Sequence, residues 1–204
     1  MIKIIGIGPG DAKYLTQQAT VALSKSPCII GTQRQLETIE AFSEGTLLVY
    51  NGKLSHLEEL MHNALKAHDH VALVASGDPS FYGISQWVRR TFEEEQIDIL
   101  NGIGSYQILF SKTGYPMHDI YLTSLHGRTL DPKELTAYKR LCVLTDTTHT
   151  PYKIARLILD QGQNPMMIIG ESLSYENEKI EEHRASDVAD REYEMNVVII
   201  DYER

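Results

Sequence analysis

Val71-Ala72-Leu73-Val74-Ala75-Ser76-Gly77-Asp78-Pro79-Ser80-Phe81-Tyr82-Gly83 is the stretch on which the reading of the fold turns. Four consecutive apolar residues, Val71 to Val74, run into a loop of glycine, aspartate and proline, and helical spacing resumes from Ile84. Strand, loop and helix in that order make one unit of a parallel α/β sheet. In the loop, glycine admits close approach to the backbone, Asp78 adds a carboxylate at a helix entrance, and Phe81 with Tyr82 supplies flat apolar surface. Such a loop suits the floor of a small-molecule site. Taken alone it reads more simply as a β-turn between two elements; its company along the chain shifts the balance.

Upstream, Ile2 to Ile7 is a short strand pattern ending in Gly6-Ile7-Gly8-Pro9-Gly10-Asp11, and Tyr14 to Lys25 then carries Leu15, Ala19, Ala22 and Leu23 at helical spacing. Downstream, the strand Ile97 to Leu100 precedes Asn101-Gly102-Ile103-Gly104-Ser105 and a helix near Tyr106 to Lys112. A dinucleotide fingerprint fails in the first loop, because its third glycine would fall on Asp11 and Pro9 removes an amide donor from the phosphate cradle. A loop lining some other cleft fits better, and a purely structural turn stays open. Between these units lie strands at Cys28 to Gly31 and Thr46 to Tyr50, and helices at Gln33 to Phe42, His56 to Ala67 and Ile84 to Glu94. Three glycine loops therefore follow three strands, and in an open parallel sheet such loops gather at the carboxyl edge, where these sheets bind ligands.

Near Thr113-Gly114-Tyr115-Pro116 the helical pattern stops, and the texture turns richer in β-branched residues. A boundary at 114–119 divides the chain into an α/β domain over 1–115 and a second over 119–204. The second half carries strands at Ile120 to Leu125, Leu141 to Thr145, Met166 to Ile169, Lys179 to Arg184 and Asn196 to Tyr202, with helices at Asp131 to Tyr138 and Pro151 to Gln161. Too few helices remain for parallel crossovers throughout, so its sheet is expected to be mixed. The expected fold class is two α/β domains, a mostly parallel sheet and a mixed one, with an interdomain cleft as the natural site.

The totals narrow the function. With 204 residues, 42% hydrophobic and 23% charged, the chain reads as an ordinary globule. Against 28 acidic residues stand 19 Lys and Arg, a net charge of −9 that disfavours binding along a nucleic-acid backbone. A strand from Ile2 onward, with no charged leader and no apolar run of membrane-spanning length, reads as a cytoplasmic protein with no membrane partner. Cys28 and Cys142 lie in expected strands without metal or redox spacing and read as core residues. His56, His62, His68 and His70 lack acidic or cysteine partners at ligand spacing, so no protein-bound metal is expected.

Taken together, the motifs resemble those of the tetrapyrrole methyltransferase family, S-adenosylmethionine enzymes that methylate precorrins, and the resemblance spans the chain. Its carriers are Gly6-Ile7-Gly8-Pro9-Gly10-Asp11, Ser76-Gly77-Asp78-Pro79 with Tyr82-Gly83, and Gly102-Ile103-Gly104-Ser105. Ser124-Leu125-His126-Gly127-Arg128, Leu144-Thr145-Asp146 with Thr150-Pro151, and Glu171-Ser172-Leu173-Ser174-Tyr175 are most similar to the branch that methylates C5 of precorrin-6-type intermediates of vitamin B12 synthesis. Asn101 stands where the family usually has proline, and Ser172 where this branch often has asparagine.

The resemblance implies the tetrapyrrole methylase fold and S-adenosylmethionine as methyl donor, held by Ser76, Gly77, Asp78, Phe81, Gly104, Ser105, Thr145 and Leu173. It also implies that the first loop, with Gly8, Pro9 and Gly10, faces the tetrapyrrole. The ring's acetates and propionates call for donors, for which Arg128, His126 and Arg34 are the candidates. His126 and Tyr82 are the candidates for a direct part in the reaction. Some relatives carry a fused C15-methylating, decarboxylating domain that this chain lacks. A separate partner protein, a homodimer and the cobalt-containing anaerobic route are the corresponding expectations. Rival readings are a sister methylase acting on another acceptor, a non-catalytic tetrapyrrole-binding protein, and a nucleotide-dependent oxidoreductase.

Overall fold

The computed structural model describes residues 1–127 and 131–204. Contacts between residues group the chain into two compact units, Met1–Gly104 and Ser105–Arg204. The helical texture ends near residue 113, yet the helix that ends there groups with the second unit.

In the first unit, β1 (Ile2–Gly6), β2 (Cys28–Gly31), β3 (Thr46–Val49), β4 (Val71–Ala75) and β5 (Ile97–Leu100) form a parallel sheet in the order β3-β2-β4-β1-β5. Register is set by pairs such as Ile4 with Leu73 and Ile4 with Ile99. Strands buried on both faces send alternate residues to opposite sides. Ile4, Ile30 and Leu73 pack with Leu57 and Met61 of α3 (Leu54–Ala67) and Val88 of α4 (Ser85–Thr91). Ile5, Ile29 and Val74 pack with Leu23 of α1 (Gln17–Lys25) and Leu36 of α2 (Gln33–Ile39). The result is a three-layer arrangement with helices on both faces.

Three helices of the first unit are shorter than their spacing predicts. Ala12–Tyr14 forms a separate 3-10 turn, and Thr16 then starts α1 by accepting from the Ala19 amide at 3.1 Å. After Ile39 the chain tightens into a 3-10 turn over Glu40–Phe42. Phe92 is buried at the end of α4, which turns Glu93-Glu94-Glu95 out of the helix.

The second unit opens with α5 (Ser105–Thr113), followed by β6 (Tyr121–Ser124), α6 (Pro132–Thr136), β7 (Arg140–Leu144), α7 (Pro151–Asp160), β8 (Met166–Glu171), β9 (Lys179–Arg184) and β10 (Asn196–Asp201). Its sheet runs β6-β7-β10-β8-β9, with only the β6–β7 pair parallel, as the scarcity of crossover helices predicts. Leu141, Val143, Ile169 and Val198 pack against Ile154, Ala155 and Ile158 of α7. Gly170 of β8 leaves room for the side chains of Leu109 of α5 and Leu173, since a Cβ there would lie 2.8 Å from the Leu109 Cδ1 atom. Cys28 and Cys142 are free, buried thiols, and burial raises the pKa of both, so they are core residues. Among the described residues no helix is long and apolar enough to cross a membrane, and no group of three or more His, Cys, Asp or Glu is placed to hold a metal ion.

Candidate active site

Strands β4, β1 and β5 are neighbours, so the three glycine loops leave one edge of the first sheet side by side. They pack on one another through bare backbone. The Gly77 amide donates to the Gly8 carbonyl at 2.7 Å, closing an antiparallel bridge between the first two loops. A Cβ on Gly102 would fall 2.0 Å from the Gly77 oxygen, and one on Gly6 would fall 2.4 Å from the Gly102 nitrogen. Much of the glycine content expected to admit a ligand is thus consumed in fitting loop against loop. Gly77 itself, at φ +66°, has only the Gly104 Cα, at 3.6 Å, near its missing side chain. Gly8 and Gly10 also have left-handed φ values, with Pro9 between them.

Asp78 is not at a helix entrance. Helix α4 begins only at Ser85, and the Asp78 carboxylate instead accepts from the Ser80 amide at 2.7 Å, closing the turn. Phe81 meets Tyr82 edge to face at 5.0 Å, and Tyr82 stands 51% exposed on a left-handed backbone, φ +50°. A non-glycine residue held there is strained, a feature that clusters at functional sites. Asp11 pairs with Lys13 at 2.6 Å and caps the Ala12–Tyr14 turn. Those bonds to Lys13 hold its pKa below the usual carboxylate value.

Helix α2 joins these parts. Gln35 donates to the Ser76 hydroxyl at 3.2 Å, Arg34 reaches the same oxygen at 3.5 Å, and Thr38 donates to the Gly10 carbonyl at 3.1 Å. Arg34 and Ser76, expected respectively for substrate and cofactor, are therefore brought together. Gln35 and Thr38 were not foreseen. The capping-box spacing of Thr32 and Gln35, in which Gln35 accepts from the Thr32 amide at 2.9 Å, was the available signal for the former.

In the second unit, β6, β7 and β8 end at the same edge of their sheet, and His126, Thr145 and Leu173 follow those ends. The Thr145 hydroxyl lies 2.8 Å from the Asn196 carbonyl and 2.6 Å from its side-chain oxygen. Leu173 is buried. His126 is exposed, with its amide donating to Ser124 Oγ at 3.2 Å. Arg128 lies outside the described residues. Asp146, expected only as part of the Leu144-Thr145-Asp146 motif, accepts from the amides of Gly127, Thr148 and His149 and lies 3.0 Å from His149 Nδ1. Burial alone would raise its pKa, but the bonds from His149, Gly127 and Thr148 outweigh it and keep the group below the usual value. Ser105, directly after Gly104, begins α5.

Two α/β units, each with loops gathered at one strand-end edge of its sheet, define a class of protein suited to binding a small molecule at those edges. Residues 1–189 match the tetrapyrrole (corrin/porphyrin) methylases, and the chain belongs to that family. It is 34% identical to the cobalt-precorrin-7 C(5)-methyltransferase of Salmonella typhimurium, covering 100% of both chains. Two solved structures share the fold. The precorrin-6Y methylase of Archaeoglobus fulgidus superposes with a TM-score of 0.74 at 23% identity, covering 100% of this chain and 99% of that one. The uroporphyrin-III C-methyl transferase of Thermus thermophilus, solved with S-adenosyl homocysteine, superposes at 0.80 and 22% identity over 98% and 96% of the two chains.

Proposed function

We propose that this chain transfers the methyl group of S-adenosylmethionine to C5 of a cobalt-containing precorrin-6B-type ring in cobalamin biosynthesis, giving cobalt-precorrin-7. The observation that carries this reading is the full-length similarity to the Salmonella C5-methyltransferase. The choice of carbon rests on that relative, because enzymes named for other tetrapyrroles share the fold as well, a uroporphyrin-III C-methyl transferase at a TM-score of 0.80 and a cobalt precorrin-4 methyltransferase at 0.81.

In this reading the donor takes Ser76, Gly77, Asp78 and Phe81, with Gly104 and Ser105, and also Thr145 and Leu173. The first unit offers what such a ligand needs: an exposed hydroxyl on Ser76, uncovered backbone at Gly77, and the half-buried ring of Phe81. Transfer requires sulfur, methyl and carbon in line, with the reacting atoms about 3 to 3.5 Å apart, so positioning supplies most of the catalysis. The carbon–sulfur bond breaks with its electron pair passing to sulfur, leaving S-adenosylhomocysteine. A π pair of the ring forms the new methyl–carbon bond, and the positive charge handed to the ring departs as a proton. Gly8, Pro9, Gly10, Arg34, His126 and Arg128 take the ring, the arginines meeting its carboxylates with planar donor forks. Tyr82 lies against the ring, and His126 is the candidate for a closer part in the reaction. The protein acts in the cytoplasm as a homodimer, and a separate protein performs the C15 methylation.

The test is incubation with methyl-labelled S-adenosylmethionine and either cobalt-loaded or metal-free precorrin-6B, with NMR assignment of the new methyl. Label at C5 of the cobalt-loaded ring is the expected outcome. Label at another carbon, or donor binding without transfer, would overturn the assignment.

A further inference from the structure

The turn that carries Leu173 is unusual. Ser172 and Ser174 both hold left-handed backbone, φ +46° and +80°, and both are buried. Neither is glycine or asparagine, so the conformation is costly and persists only where its surroundings over-determine it. On one side, Asn177 donates to the Ser172 hydroxyl at 3.1 Å, and the Ser174 amide donates to Glu178 at 2.8 Å. Glu178 is itself paired at 2.8 Å with Lys112 of α5. On the other side, the Ser172 amide donates to the Met195 carbonyl at 2.8 Å.

What holds Met195 in place is a charged network. Glu171, only 4% exposed, takes both arms of the Arg191 guanidinium at 2.5 and 3.0 Å, and its second oxygen also accepts from the Glu194 amide at 3.0 Å. Arg191 also reaches Glu181 of β9 at 2.9 Å and stacks 3.9 Å from the Tyr193 ring centroid. The segment from Arg191 to Met195 is thereby pinned between the ends of β8 and β9. The next residue, Asn196, is the partner of Thr145. One guanidinium thus ties together Thr145 and Leu173, two of the residues of this unit assigned to the methyl donor. A buried ion pair is a poor source of stability compared with apolar packing, but its planar fork fixes orientation.

We propose that Arg191, with Glu171 and Glu181, is a positioning residue for the methyl donor, presetting the Leu173 turn and the Thr145–Asn196 contact in donor-binding geometry. The proposal rests on the reading that Leu173 and Thr145 take S-adenosylmethionine. Preset geometry lowers the ordering cost of binding, so its loss falls on donor affinity rather than on the chemical step.

The test compares the parent protein with Arg191→Met, Arg191→Lys and Lys139→Met. Lys139 forms an ion pair with Glu203 beyond the other end of β10, away from this network. S-adenosylhomocysteine affinity is measured by calorimetry, kcat and KM by steady-state assay, and Tm by thermal denaturation. Arg191→Met is expected to raise Kd and the donor KM by about tenfold, with kcat at saturating donor within about twofold of the parent. Arg191→Lys is expected to recover part of the affinity, and Lys139→Met to leave it unchanged. Unchanged affinity in Arg191→Met, or an equal loss in Lys139→Met, would overturn the proposal. If Arg191→Met does not fold, Arg191→Lys and Glu181→Gln make the same comparison, and unchanged affinity in both overturns it. Failure of the parent protein to bind S-adenosylhomocysteine is a different result, one that overturns the functional reading.

Discussion

At single positions, glycines that look alike in the sequence do different work. Gly102 lacks a side chain because the Gly77 oxygen occupies the space, whereas Gly52 has open space around it and is glycine for its φ of +83°. Gly102→Ala must move two loops and is expected to cost about 1–3 kcal/mol or more, by overpacking. Gly52→Ala is expected to cost about 1 kcal/mol of backbone strain. Urea denaturation of the two variants checks the order, and only Gly102→Ala is expected to weaken donor binding as well. Arg34 touches the donor loop at Ser76 while serving as a candidate for the ring. Arg34→Ala is expected to raise the tetrapyrrole KM by about tenfold or more, the loss of one charge-assisted hydrogen bond of about 1.5–3 kcal/mol. An unchanged tetrapyrrole KM would remove Arg34 from the site.

Among the elements, those with strong local signals were legible from the sequence. Thr150 and Pro151 mark the start of α7, and the Thr150 side chain accepts from the Lys153 amide at 3.3 Å. Thr150→Ala is therefore expected to lower stability by about 1 kcal/mol, read as a fall in Tm. Boundaries failed where a buried side chain or a tight turn overruled spacing, as at Phe92 and at Ala12–Tyr14. The expected place of Asp78 at a helix entrance failed for the same reason. A carboxylate seven residues ahead of α4 satisfies its own turn first, because the Ser80 amide is closer than any helix end.

Across the whole molecule, titration sets limits on stability. Asp146 and Glu181 have pKa values lowered in the fold, so their contribution is present above the unfolded value and lost as pH falls below about 4.5. The His70 Nε2 atom is buried and, among the described residues, has no hydrogen-bond partner. Burial, followed by the nearby Lys3 and N-terminal charges, lowers its pKa. Its neutral form is favoured in the fold, so stability begins to fall as pH drops below the ordinary histidine value of 6.5. At the alkaline end, burial and then the hydrogen bond to Asp201 push the Tyr115 pKa up to about 12. The protonated phenol is favoured in the fold, and stability is lost as pH rises from the unfolded value of 10 toward 12. Thermal denaturation against pH is expected to give a plateau between about 7 and 9, above which the buried Cys28 and Cys142 thiols, raised from 9.0, begin to cost stability before Tyr115 does; His70→Gln should remove the first acidic step and Tyr115→Phe should soften the alkaline fall. A parent profile flat from pH 5 to 8 would contradict the assignment for His70.

By itself the sequence determined the order of strands and helices, the two-part α/β plan, the family and the loops that carry the candidate site, because apolar periodicity, glycine and proline act over a few neighbouring residues. Only the tertiary structure decided that β4, β1 and β5 lie side by side, so that Gly6, Gly77 and Gly102 press on one another. It alone linked Arg34, Gln35 and Thr38 to the first two loops, and Arg191 to Glu171 and Glu181. These groups are separated by ten to some ninety residues, and no local pattern records such partners. They meet only because burying both faces of each sheet fixes the strand order, and the strand order places the loops.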